Sequence, residues 1–152
     1  MSTVEVKRAI VSRPTEGEFL RMVGRIKITS EQTNGAFEVF ELDGPGSPPP
    51  HVHHEHDELF YIIKGTYTFI IENQELQVPA GSVVFVPRGL NHSFKHSEGA
   101  SFLGVLIPGG MEGFFREMSE AITTGRNETE FRATHAGKYD SWPVDAAKPS
   151  SH

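Results

Sequence analysis

Cysteine is absent from the chain, so disulfides and thiolate metal ligands are both excluded. Positive charge is scarce: 14 Lys and Arg against 20 Asp and Glu leave a formal net charge of −6. No Lys/Arg run offsets that balance, which argues against a nucleic-acid surface. No apolar run approaches the ~20 residues needed to cross a bilayer. The opening stretch, MSTVEVKRAIVSRP, lacks the uncharged apolar core of a signal peptide. These absences lead to the expectation of a soluble, cytoplasmic protein with no nucleic-acid or membrane partner. With 152 residues, the chain is long enough for one domain with a real core.

What is present, up to about residue 107, is a series of short alternating segments separated by turn residues. Arg25 to Ser30 and Ala36 to Leu42 alternate on either side of Asn34-Gly35, the strongest short hairpin signal available. Gly44 to Pro50 reads as a stiff connector, because its prolines remove backbone donors. Leu59 to Ile63 and Thr66 to Ile71 bracket Lys64-Gly65, and Glu72 to Gln74 turns the chain into Glu75 to Val78. Val83 to Val86 is continuously apolar, as expected of a strand buried on both faces, and Phe102 to Ile107 is similar. Many short strands at regular spacing imply a sandwich or barrel.

After Pro108 the period changes. Met111, Phe114, Phe115, Met118 and Ile122 form a helical apolar stripe, with Gly125 as its stop. Asn127 and Glu130 have capping-box spacing for a second helix reaching Ala136. From sequence the first helix either caps the strands or packs on their outside.

Six of the eight histidines fall between positions 51 and 96. His51 and His53 are two apart, so on a strand both point to one face. With Glu58 and His92 they supply three imidazoles and a carboxylate, donors suited to a divalent transition metal. Six-coordination would leave two positions for other ligands. Iron, manganese, nickel, cobalt, copper and zinc all suit such donors.

These residues carry a family resemblance. His51-Val-His53, four residues, Glu58, six residues and Gly65 follow the first motif of metal-dependent cupins. Gly81, five residues, Pro87-Arg88-Gly89, two residues and His92 follow the second. Fifteen residues, Thr66 to Ala80, separate the two. The pattern departs at His96, where Asn is usual, and at Gly44 and Gly46, which flank the usual opening glycine. The chain thus resembles small single-domain, quercetin-dioxygenase-like cupins, whose ending is similar to Pro108 to Glu117.

The resemblance implies an all-β double-stranded β-helix, or jelly-roll barrel, with a short C-terminal helical segment. It places one domain at 1–140, with a barrel core at about 25–108, helices at about 111–136 and a loose tail at 141–152. It further implies one divalent transition metal on His51, His53, Glu58 and His92, with Glu58 also the proton acceptor. The expected activity is oxygenation of a small phenolic or enolisable compound. A non-oxidative isomerase, epimerase or lyase, or a non-catalytic metal- or ligand-binding cupin, would use the same ligands. A homodimer is expected, with Leu59, Tyr61 and Ile63 facing outward.

Other polar groups are expected to stay off the ion. His54 should face out, and His56 lies in a solvated bend. His96 lies ~13 Å along the strand from His92 and Lys64 ~20 Å from Glu58, too far to reach the same ion. Arg88 falls at a barrel end, and His96 is expected to hydrogen-bond deeper inside. Phe60, Ile62, Tyr67, Phe69, Phe85 and Phe94 are candidates for core or pocket wall.

Overall fold

The computed structural model describes residues 8–144. Two sheets face each other. The first has six strands: β1 (Glu18–Leu20), β2 (Gly24–Ile28), β3 (Glu38–Leu42), β10 (Ser101–Ile107), β5 (Asp57–Lys64) and β8 (Val83–Val86), in that spatial order. The second has five: β11 (Trp142–Pro143), β4 (His51–Val52), β9 (His92–His96), β6 (Thr66–Ile71) and β7 (Gln74–Pro79). Every pairing is antiparallel. From β3 onward the chain passes back and forth between the sheets, with only β6 and β7 consecutive in one, giving the double-sheet jelly roll of a double-stranded β-helix.

The alternation of each strand decides what lies between the sheets. In β5, Glu58, Phe60 and Ile62 point inward while Tyr61 and Ile63 point out. In β6, Tyr67 and Phe69 are buried. The rings of Phe60, Phe69, Phe94 and Phe102 pack within 4.9–6.2 Å of one another where they pair. On β10, Gly104 leaves room for the ring of Phe40, which an added Cβ would meet at 2.4 Å.

Two expectations are corrected. The Asn34-Gly35 pair is not a two-residue hairpin turn. A short 3-10 turn, Glu31–Thr33, precedes it, and both residues take positive φ to release the chain into β3. The strand Val83–Val86 is buried on one face only, because nothing covers the outer face of its sheet, where Tyr61 and Ile63 of β5 are exposed as well. Val83 and Phe85 are 61% and 53% exposed, so Phe85 is neither core nor pocket wall.

Helix α1 (Glu112–Thr123) closes one end of the sandwich. Its Phe115 ring lies 4.6 Å from that of Phe40, and Phe114 and Met118 are also buried. Helix α2 (Glu128–Tyr139) packs on α1 through Phe131, whose ring lies 5.6 Å from that of Phe114. Asn127 caps it by accepting from the Glu130 amide. The apolar stripe therefore caps the strands. The chain beyond α2 is not loose where it is described, since Trp142–Pro143 adds a strand to β4; residues 145–152 lie outside the described part.

The first turn of α1 rests on a buried acid pair. Glu38, 1% exposed, accepts from the Met111 amide and hydrogen-bonds Glu112. Burial and then Glu112 push Glu38 up from 4.5 to about 9. Burial would raise Glu112 too, but Glu38 and the Ser30 donors outweigh it and hold Glu112 at about 2. One proton is thus shared near neutrality. Between 4.5 and about 9 only the folded chain keeps Glu38 protonated, so this contribution to stability falls as pH rises through that window. Glu38→Gln keeps the hydrogen bonds without the proton, so melting temperatures between pH 6 and 9 should decline less steeply than in the parent. An unchanged slope would show that the pair does not titrate this way.

Candidate metal centre

The second sheet supplies the histidines and the first supplies the carboxylate. His51 on β4 and His92 on β9 are direct cross-strand partners, so both rings enter the space between the sheets. His53 follows β4, and its carbonyl accepts from the Gly89 amide at 2.7 Å. Gly89 has φ +89°, a conformation that favours glycine in the Pro87-Arg88-Gly89 turn. Glu58 projects from β5 opposite. All four residues are at most 7% exposed.

Hydrogen bonds to backbone carbonyls set the ring tautomers. Nδ1 of His51 lies 2.8 Å from the Pro49 oxygen, that of His53 2.8 Å from the Asp140 oxygen, and that of His92 3.0 Å from the Leu90 oxygen. A carbonyl only accepts, so each Nδ1 carries the proton and each neutral Nε2 presents a lone pair. The three histidines bring a ring nitrogen each within 4.8 Å of the other two. Glu58 Oε1 stands 3.3 Å from His53 Nε2 and 3.4 Å from His92 Nε2. Four acceptors therefore face one another at close range. His92 Nε2 is buried, and its contact with Glu58 does not have hydrogen-bond geometry.

A bound cation resolves that arrangement. Ligand atoms ~2.1 Å from a shared ion sit roughly 3–3.5 Å apart, which is the spacing of Glu58 to its two imidazoles. Burial raises the Glu58 carboxyl, and it is held down, to about 2, where His53 and His92 turn an N–H or a positive charge toward it; with their lone pairs inward, a cation would take that part. Burial, followed by His92 and Arg132, lowers His51 well below its ordinary value, keeping it neutral and able to ligate. The donor set and its geometry fit a divalent metal.

The other polar residues named from sequence stay apart from this cluster. His96 directs its two ring nitrogens at the Ser97 and Gly46 carbonyls. Arg88 pairs with Asp57, and Lys64 is exposed at the end of β5. His54 lies against Trp142, with ring centroids 6.1 Å apart. The bend holding His56 is not merely solvated, because Asp140 organises it. The Asp140 carboxylate accepts from the His54 and Glu55 amides and from His56 Nδ1, at 2.7–2.9 Å, and also from Trp142 Nε1. With its carbonyl on His53, Asp140 ties the end of α2 to the histidine cluster. Sequence reasoning missed it: the partners lie 84–87 residues away, and the only local signal was an Asp able to adopt αL beyond a helix.

The Cupin domain family model matches residues 38–106, the span containing the whole cluster. The chain belongs to the cupins. Over 99 residues this cupin is 34% identical to quercetin 2,3-dioxygenase of Bacillus subtilis, covering 63% of the chain and 29% of that protein. The quercetin 2,3-dioxygenase of Aspergillus japonicus is 31% identical over 101 residues, again across 29% of its length. The chain thus spans less than a third of either quercetinase. An uncharacterized protein of Streptomyces coelicolor is 32% identical over 78 residues, 51% of this chain and 73% of that one. Streptomyces PAC13 with uridine superposes with a TM-score of 0.56 at 13% identity, over 70% of this chain and 88% of that one. A predicted oxalate decarboxylase from Thermotoga maritima gives 0.51 at 24% identity, over 65% and 99%. These two show the shared fold.

Asp140→Ala removes the acceptor of four N–H groups. It should lower stability by about 2 kcal/mol in urea unfolding followed by Trp142 fluorescence. Asp140→Asn, which tolerates αL and keeps one oxygen, should recover part of that loss. Equal loss in both variants would mean that the charge alone carries the effect.

Proposed function

We propose that this cupin is a metal-dependent oxygenase acting on a small enolisable or phenolic compound. His51, His53, Glu58 and His92 are its metal ligands, and Glu58 is also its proton acceptor. The observation that carries the reading is the convergence of three Nε2 lone pairs and one carboxylate in a buried apolar room. A bound divalent ion would supply Lewis-acid polarisation of a substrate oxygen. The chain's own residues do the rest. The Glu58 carboxylate can take the hydroxyl proton of an enol or phenol onto its oxygen as the O–H bond breaks. Leu42, Phe94, Phe102, Leu106, Phe114 and Phe115 line the cavity and exclude water from the anion so formed. This inner cavity is about 40 Å³, and one of about 420 Å³ lies on the other side of His51 and Arg132. The identity to quercetin 2,3-dioxygenases supports the oxygenase class over an isomerase, epimerase or lyase.

The same reading takes the protein to be cytoplasmic and homodimeric. Tyr61, Ile63, Val83 and Phe85 expose an apolar patch where β5 pairs with β8, and such patches commonly mark association sites. Phe85→Glu should shift sedimentation from a dimer to a monomer; a monomeric parent would remove the homodimer.

Protein purified without added metal should contain about one transition ion per chain, as expected for a site of this ligand count. The His51→Ala, His92→Ala double variant should lose it, as read by elemental analysis. Oxygen uptake with a panel of small enols and phenols should accompany the metal-loaded parent. Stoichiometric metal without uptake would transfer the site to a non-oxidative or purely binding role. No metal after reconstitution would overturn the metal-centred reading.

A further inference from the structure

Arg132, on α2, is the one basic side chain lining the cavity beside the histidines. Its side chain is 10% exposed, and its guanidinium stacks 5.1 Å from the Phe114 ring centre. Nε donates to Glu128 at 3.0 Å and Nη1 to Ser141 Oγ at 3.2 Å. Nη2 has only the Met118 thioether, at 3.9 Å. A guanidinium has five N–H donors. Among the described residues, oxygen acceptors occupy two of them. Arg132 lines this cavity, whose other walls include Leu, Met and Phe side chains, and also the larger one on the far side of His51.

Charge balance sharpens this. Arg132 and Glu128 cancel as a pair. Three neutral imidazoles, one carboxylate and a divalent ion leave a net charge of about +1 in the apolar room, and a buried net charge is costly unless paired. A mono-anionic ligand would neutralise it and supply acceptors to the idle N–H groups of Arg132. The inner cavity is about 40 Å³, and a second of about 420 Å³ shares His51 and Arg132 with it.

We propose that Arg132 is the specificity-determining residue of the site, receiving the carboxylate of a small enolisable acid while the acid's other oxygen faces the histidine cluster. This rests on the metal-centred reading above and narrows its substrate class from small enols and phenols to small carboxylates. Glu128 is then a built-in competitor, holding the guanidinium until a substrate anion shares it. Sequence spacing alone presents Glu128 and Arg132 as an ordinary i,i+4 surface pair; burial under α1 turns the pair into an anion receptor.

The test compares anions with uncharged analogues. Acetate against acetamide, and pyruvate against methyl pyruvate, are titrated into the cobalt-loaded full-length protein. Binding is read from the visible cobalt spectrum and from calorimetry. The parent should prefer each anion by about tenfold or more, as a charge-assisted guanidinium pair requires. Arg132→Gln should lower that preference several-fold without changing cobalt content, the remainder coming from the charge of the metal centre. Glu128→Gln frees the guanidinium and should tighten acetate several-fold, an effect that a purely structural ion pair would not produce. It also keeps the proposal testable if Arg132→Gln fails to fold. Stoichiometric cobalt with no Arg132-dependent preference would overturn the anchor and leave the metal reading intact. Arg132-dependent acetate binding to protein that takes up no cobalt would support the anchor and remove the metal reading. Neither cobalt nor anion binding would overturn both.

Discussion

Three hydrogen bonds from imidazole Nδ1 to backbone carbonyls govern the chemistry of this protein. They fix the tautomers of His51, His53 and His92 and turn each Nε2 inward against the Glu58 carboxylate. Without a cation between them, four buried acceptors at that range would repel one another. The fold tolerates the arrangement because strands from two sheets deliver the residues separately. The backbone geometry is paid for by core packing of Phe60, Phe69 and Phe102 and does not depend on the cluster itself.

The helical hairpin gives this jelly roll its particular character. Met111, Phe114 and Phe115 close the cavity from above, and Arg132 brings a cation to its edge. Asp140 returns the chain to the histidine-bearing segment, placing a carbonyl on His53 and a carboxylate on the following bend. Events at the end of α2 and at the cluster are therefore linked through one residue. That linkage makes the hairpin part of the site as well as a cover for it.

The strands were legible because their side chains alternate. Period-two patterning located β2, β3, β5 and β6, a continuous apolar run located β10, and a change to helical period located α1. Where pattern and burial parted, the cause was tertiary packing. Val83 to Val86 is apolar on both faces, yet nothing covers the outer face of its sheet there. Asn34-Gly35 kept its positive φ values but served a longer connection. Trp142–Pro143 carried no strand signal, since two residues are too short to show a period.

Histidine spacing within the segments His51 to Glu58 and Pro87 to His92 was readable because strand geometry converts a two-residue interval into a common face. The sequence by itself determined which residues could serve as ligands, and that they lie on alternating β-segments. Only the tertiary structure decided that Glu58 meets His53 and His92 across the gap between two sheets, and that Asp140 and Arg132 join them. Glu58 to His92 spans 34 positions of chain and His53 to Asp140 spans 87, and no local periodicity encodes a meeting that depends on how separate elements pack.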